Sequence, residues 1–247
     1  PVIGPENPIC ESKSFVGWYT DDTWSVEYKF TTMPAENITL YARWNDYEIV
    51  IVSDEIMEMS INDDIFSPEL YHATAKDTDG NDVPVTVEIL GGSQEVGKTV
   101  TVRLIAKGLY GIESSKTLRD IRVYGIPSLA YDTEKDYFNL SDTLNADLFS
   151  AIATDTFGDT IAVELSVKEQ GYIAGNLVTI VLSATDITGN VKVVEISGVK
   201  VYGEPIISRD ESIAEIKESD TVDSSLFNAI AVDTFGEPLT LMTEIID

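Results

Sequence analysis

The sequence predicts a mainly β protein made of small antiparallel sandwiches in tandem, and three observations carry that prediction. First, one stretch occurs three times: LYHATAKDTDGNDVPV at 70–85, LFSAIATDTFGDTIAV at 148–163 and LFNAIAVDTFGEPL at 226–239. Its glycines, Gly80, Gly158 and Gly236, stand 78 residues apart and 78 again, and the Val-Tyr-Gly triplets at 123–125 and 201–203 keep the same step. A constant period of this size marks tandem copies of one small unit. Second, segments such as 99–106 and 177–184 alternate between polar and apolar residues, the period of a strand with one buried face. Third, turn signals return about every eight to twelve residues, and no segment sustains a helical period.

Composition supports folded units. Of the 247 residues, 43% are apolar, enough for each copy to build its own core. The net charge of −27 is spread along the chain, between −4 and −9 in each of the segments 1–47, 48–125, 126–203 and 204–247. A surface acidic throughout repels nucleic acid and anionic lipid, so neither is an expected partner. Cys10 is the only cysteine, which excludes a disulfide within the chain and a cysteine-based metal site. No apolar run is long enough to span a bilayer. The chain starts at Pro1 and stops 44 residues into its third copy, so both ends are expected to continue into a longer protein. Its first partners would then be neighbouring repeats of that protein.

In chain order, residues 1–14 carry three prolines and read as a connection. From Phe15 two aromatic-rich runs flank a Met33-Pro34 turn, and 38–44 alternates with Ile38, Leu40, Ala42 and Trp44 on one face. The motif Phe15-x-Gly17-Trp18-Tyr19-x-Asp21, followed by Met33-Pro34-Ala35-x-Asn37-Ile38-Thr39-Leu40-Tyr41-Ala42-x-Trp44, resembles the end of a Listeria–Bacteroides repeat. These are the B-repeats of internalin-type bacterial surface proteins. The resemblance implies that 1–47 is the C-terminal part of a β-grasp-like module. Trp18, Trp24 and Trp44 read as packing residues ahead of a ligand platform, since large aromatics dominate small cores.

The first full copy spans 48–125, with an opening strand at 47–52, a hairpin at 70–90 and strands at 99–106 and 117–124. The second, 126–203, repeats it with strands at 148–154, 160–167, 177–184 and 191–201, and a helical turn within 142–153. The third, 204–247, holds the opening strand and the hairpin only. The pattern DLFSAIATDTFGD, YIAG, VTIVLSATDITGN and VKVYG resembles bacterial immunoglobulin-like repeats, which implies tandem immunoglobulin-like β-sandwiches on a secreted or surface protein. Small Ala75, Ala153, Ala106 and Ala184 are expected at matched buried places. In the third copy Phe227, Ile230, Leu239 and Leu241 are expected to lack partners.

Internal copies test each candidate site, because a site used by every copy keeps its polar residues in every copy. The hairpin keeps Asp77, Asp155 and Asp233, then Thr78, Thr156 and Thr234, then glycine. Asp-Thr-x-Gly suits a type I turn with a bulge at a glycine of positive φ. Asp186-Ile-Thr-Gly189 repeats the device, although Gly108 stands where Asp186 does. The alternative chemistry is calcium binding at Asp77, Asp79 and Asp82. Against it, the glycine is fourth rather than sixth in the loop, and Phe157 and Phe235 replace Asp79 in the later copies. His72, the only histidine, becomes Ser150 and Asn228, so it reads as a solvent-facing position. With its only histidine at a turn position that the other copies fill with Ser150 and Asn228, the chain offers no repeated general base, and no enzyme is expected. No Lys–Asn pair is placed for a self-made cross-link. The reading is a non-catalytic stalk in a long, secreted, cell-wall-attached surface protein, an adhesin, with no cofactor. The alternatives are a module binding a glycan or host protein, and an accessory region of a large extracellular polysaccharide-degrading enzyme.

Overall fold

The computed structural model describes residues 3–32, 35–212, 215–217 and 220–244, with the side chain of Tyr110 outside that set. The chain divides into two compact units, Pro1–Gly125 and Ile126–Asp247. Among the described residues it is mainly β, with several antiparallel sheets and helical residues only in short 3-10 turns.

The first unit opens with β1 (Lys13–Tyr19) paired antiparallel to β2 (Tyr41–Asp46), Phe15 opposite Trp44 and Trp18 opposite Ala42. The Phe15 ring meets Trp18 and Trp44 edge-on at centroid distances of 5.5 and 5.4 Å. Trp18 and Trp44 are half-buried, in keeping with packing, whereas Trp24 is 47% exposed in a turn. The expected strand begins three residues late, at Tyr41, so Ile38 and Leu40 precede it. The Met33-Pro34 turn lies outside the described residues.

Six strands follow: β3 (Ile49–Val52), β4 (Glu58–Ser60), β5 (Thr74–Asp77), β6 (Val85–Gly92), β7 (Thr99–Lys107) and β8 (Glu113–Tyr124). They form a two-stranded β3-β5 sheet and a four-stranded sheet in the order β4-β8-β7-β6. The alternation in β7 places Val100, Val102, Leu104 and Ala106 inside, with Met59, Ile65, Tyr71, Leu118, Ile121 and Val123 around them. Each such side chain, fully buried, contributes about 1.5–3 kcal/mol.

The second unit repeats this plan with β9 (Ser128–Ala130), β10 (Tyr137–Asn139), β11 (Ile152–Thr154), β12 (Thr160–Ile161), β13 (Val163–Val167), β14 (Leu177–Thr185) and β15 (Val191–Tyr202). Its sheets run β12-β11-β9 and β10-β15-β14-β13. Buried Val178, Ile180, Leu182 and Ala184 stand 78 residues after their β7 counterparts. Ala75, Ala153, Ala106 and Ala184 are all buried at matching places.

Two details depart from the expected layout. The strand expected at 160–167 breaks at Ala162, where the chain crosses from the three-stranded to the four-stranded sheet; Pro84 marks the same place in the first copy. A proline fits there because a residue between two sheets need not donate to either ladder. The sheets also contain one parallel pair in each of the first two copies, β4 with β8 and β10 with β15. The chain changes sheets between β3 and β4, and again between β9 and β10, and so comes alongside the last strand in the same direction. Three-residue strands carry too little alternation to be seen beforehand.

The helical turn expected within 142–153 is a 3-10 turn, Ala146–Phe149, matching Pro68–Tyr71. Each ends at a left-handed residue, His72 (φ 47) or Ser150 (φ 49), and Asn228 has φ 46 at the same place. The third copy forms β16 (Ile206–Ser208), β17 (Ile230–Val232) and β18 (Pro238–Leu239), the counterpart of the β9, β11 and β12 sheet. Phe227 is only half-buried, where Tyr71 and Phe149 are fully enclosed. Ile230, at 62% exposure, matches Ile152 at 62% in the second copy, so that position belongs to the outer face and not to an unfilled core.

Candidate functional site

The recurring hairpin is built by its aspartate. Asp77 Oδ1 accepts from the backbone N–H of Asp79 and of Asn81, at 3.0 and 2.8 Å. Asp155 does the same for Phe157 and Asp159, and Asp233 for Phe235 and Glu237. The N–H of Gly80, Gly158 and Gly236 closes each turn onto the aspartate carbonyl. These glycines have φ of 84, 90 and 86°, and a Cβ on any of them would meet nothing within 4 Å. Positive φ, not lack of room, requires glycine there. The expected type I turn with its bulge is what forms.

The threonine does a second job. Thr78 Oγ1 accepts from the N–H of Glu48 at 2.8 Å and lies 3.1 Å from the Asp46 carbonyl, to which it can donate. The hairpin thereby clamps the two-residue passage between β2 and β3. In the other unit Thr234 Oγ1 accepts from the N–H of Gly203 at 2.8 Å, directly after β15. Each of these two hairpins ties down the chain that leads into its own copy. Gly203 is glycine because a Cβ there would sit 2.6 Å from Ala174 Cβ; Gly125 likewise has Val96 at 2.8 Å. The Val-Tyr-Gly triplet thus lets the end of a copy pass close to its own β-hairpin loop.

Tyr47 completes the first joint. It is 5% exposed and packs with Ile49, Ala75, Val83 and Ala106. Its hydroxyl accepts from the Leu109 N–H at 3.2 Å and donates to Asp77 Oδ2 at 3.3 Å. A Cβ on Gly108 would lie 2.5 Å from that hydroxyl, which accounts for glycine in place of Asp186. In the second copy Asp186 holds its own turn instead, accepting from Thr188 and Asn190 main-chain and side-chain groups at 2.9–3.0 Å. Burial opposes ionisation of Asp186, but these hydrogen bonds outweigh it and hold its pKa below the usual carboxylate value. The same balance lowers Asp77, with Asn81, the Asp79 amide and Tyr47 as donors.

The calcium candidates do not converge. Asp77 is engaged by its own turn and Tyr47, Asp79 Oδ1 accepts from the Ser14 hydroxyl, and Asp82 pairs with Lys76 at 2.6 Å. Among the described residues no group of three or more His, Cys, Asp or Glu side chains is placed to hold a metal. His72 is an exposed turn-ending residue, its Nδ1 2.7 Å from Asp54 Oδ2; Asn228 meets Asp210 at the same position of the third copy. Sequence reasoning missed Tyr47 and the joint role of the threonines. The signal was present in the switch from Asp186 to Gly108, which asks what fills the space.

No curated protein matches the chain. Residues 1–43 match the family model of the Listeria-Bacteroides repeat domain, and the β-rich copies that follow are consistent with immunoglobulin-like repeats.

Proposed function

We propose that this chain is a non-catalytic stalk segment of a long, secreted bacterial surface protein, an adhesin attached to the cell wall through another part. The Listeria-Bacteroides repeat match supports a surface-protein repeat region. The observation that carries the stalk reading is the joint: the passages before the first and third copies are two or three residues long, and each is bonded to the hairpin of the copy that follows. Units that bury their own cores and grip their neighbours through short links make a spacer. The expected partners are adjacent repeats, with a host protein or glycan engaged elsewhere in the protein.

The test is surface labelling. Antibodies against residues 1–247 are expected to stain intact cells of the source bacterium, and brief protease treatment of those cells to remove the stain. Staining only after permeabilisation would refute the reading. Binding to a glycan array that is lost on Trp24→Ala would favour the module that grips a ligand, because Trp24 is the half-exposed ring of the first module.

A further inference from the structure

We infer that the residue after the joint threonine selects the kind of module that a copy can follow. In the first copy this residue is Asp79, and its Oδ1 accepts from the hydroxyl of Ser14, a 7% exposed residue on β1 of the Listeria–Bacteroides module. In the third copy it is Phe235, whose ring meets Tyr202 at 5.0 Å and 68°, and Tyr202 in turn meets Tyr137 at 5.6 Å. The threonine and the glycine are the same in both hairpins, so the shared residues form the turn and hold the linker. The variable one meets the neighbour.

The two contacts are chemically exclusive. Phenylalanine at 79 would leave the buried Ser14 hydroxyl without its acceptor, and an unsatisfied buried polar group is costly. Aspartate at 235 would lose the edge-to-face contact with Tyr202 and set a carboxylate against that ring in its place. Each hairpin therefore accepts its own neighbour and rejects the other, the two-sided form that specificity requires. The inference stands on joint geometry and is independent of where the protein resides.

Amide hydrogen exchange in the full chain, read by NMR, tests it. The reporters are the Glu48 N–H, bonded to Thr78, and the Gly203 N–H, bonded to Thr234. Phe235→Asp is expected to speed exchange at Gly203 about tenfold and leave Glu48 unchanged, and Phe235→Tyr to preserve both. Asp79→Phe is expected to speed exchange at Glu48 and leave Gly203 unchanged. Buried Leu104 and Leu182 report that each copy remains folded. Should Phe235→Asp also expose Leu182, Tyr202→Leu removes the partner ring from the other side and is expected to free Gly203. The inference is overturned if Gly203 stays protected in Phe235→Asp or Tyr202→Leu, or if Asp79→Phe leaves Glu48 equally or better protected. The last result would mean that any apolar residue serves at any joint.

Discussion

The fit of Tyr47 against Gly108 gives a sharp test of how the first copy is joined to the module before it. Gly108 has φ −103° and ψ −155°, an extended backbone that any residue adopts, so alanine there carries no conformational penalty. Its Cβ would nonetheless sit 2.5 Å from the Tyr47 hydroxyl and 2.9 Å from Ile49 Cδ1. Forcing a methyl group into a filled space of this kind costs about 1–3 kcal/mol. Tyr47→Leu keeps an apolar side chain but no longer reaches residue 108. In that background the added methyl is expected to cost no more than about 0.5 kcal/mol, a coupling of roughly 1–2 kcal/mol for residues in contact. Amide exchange at Leu104, deep in the first copy, measures the loss, and Leu182 in the second copy is the internal reference. Equal costs of Gly108→Ala with Tyr47 and with Leu at position 47 would show that the tyrosine is not what demands glycine.

Other outcomes follow from the same contacts. Thr234→Val removes the acceptor of the Gly203 N–H while keeping its shape; a cost of about 1 kcal/mol should appear as roughly fivefold faster exchange at that amide and little change at Ala231. Burial, with lesser repulsion from Asp63 and Asp64, pushes the Tyr71 hydroxyl up to about 12. Its raised value means that the first copy keeps this contribution below pH 10 and loses it as pH rises toward 12. Tyr71→Phe should remove that alkaline loss at a cost of about 1 kcal/mol for the hydrogen bond to Ile65, since Phe149 fills the same place in the second copy. Asp186 has a lowered pKa, so its turn is stabilised above the ordinary carboxylate value, near 4, and weakens as pH falls through the folded one; Asp186→Asn should flatten this dependence in the Asn190 amide exchange. Millimolar calcium is expected to leave the melting temperature where EDTA leaves it, whereas a micromolar site would add about 4 kcal/mol at a thousandfold excess.

The period, the β class, the hairpin turn and the matched alanines were legible because each depends on local chemistry repeated in register. Asp-Thr-x-Gly fixes its own turn, and the alternation of β7 and β14 survives whatever surrounds it. What could not be read depends on where separate segments meet. The crossing at Ala162 is invisible because residues 160–167 alternate without interruption, and only tertiary contacts decide which sheet takes which half. The joint was hidden for a related reason. A threonine that caps a turn and one that holds a linker 30 residues away look alike in sequence, as Thr78 shows with Glu48. Ile230 shows the converse: the sequence expects it to lack partners because its copy is incomplete, but its counterpart in the complete copy, Ile152, is equally open to solvent, so the position faces outward.

The parallel pair β10 and β15 has a mechanical consequence. Its register, Tyr137 with Lys200, Phe138 with Val201 and Asn139 with Tyr202, sets a strand from the early part of the copy beside the strand that ends it, both pointing the same way. A pull between the two ends of that copy would slide β10 along β15, so the bonds of that short ladder would bear the tension together. Phe138, 1% exposed, must leave the core in the same step. Until then the copy holds its length under tension. Afterwards its 78 residues pay out on the order of 260 Å of extended chain. The parallel pair β4 and β8 sets the same latch in the copy before it.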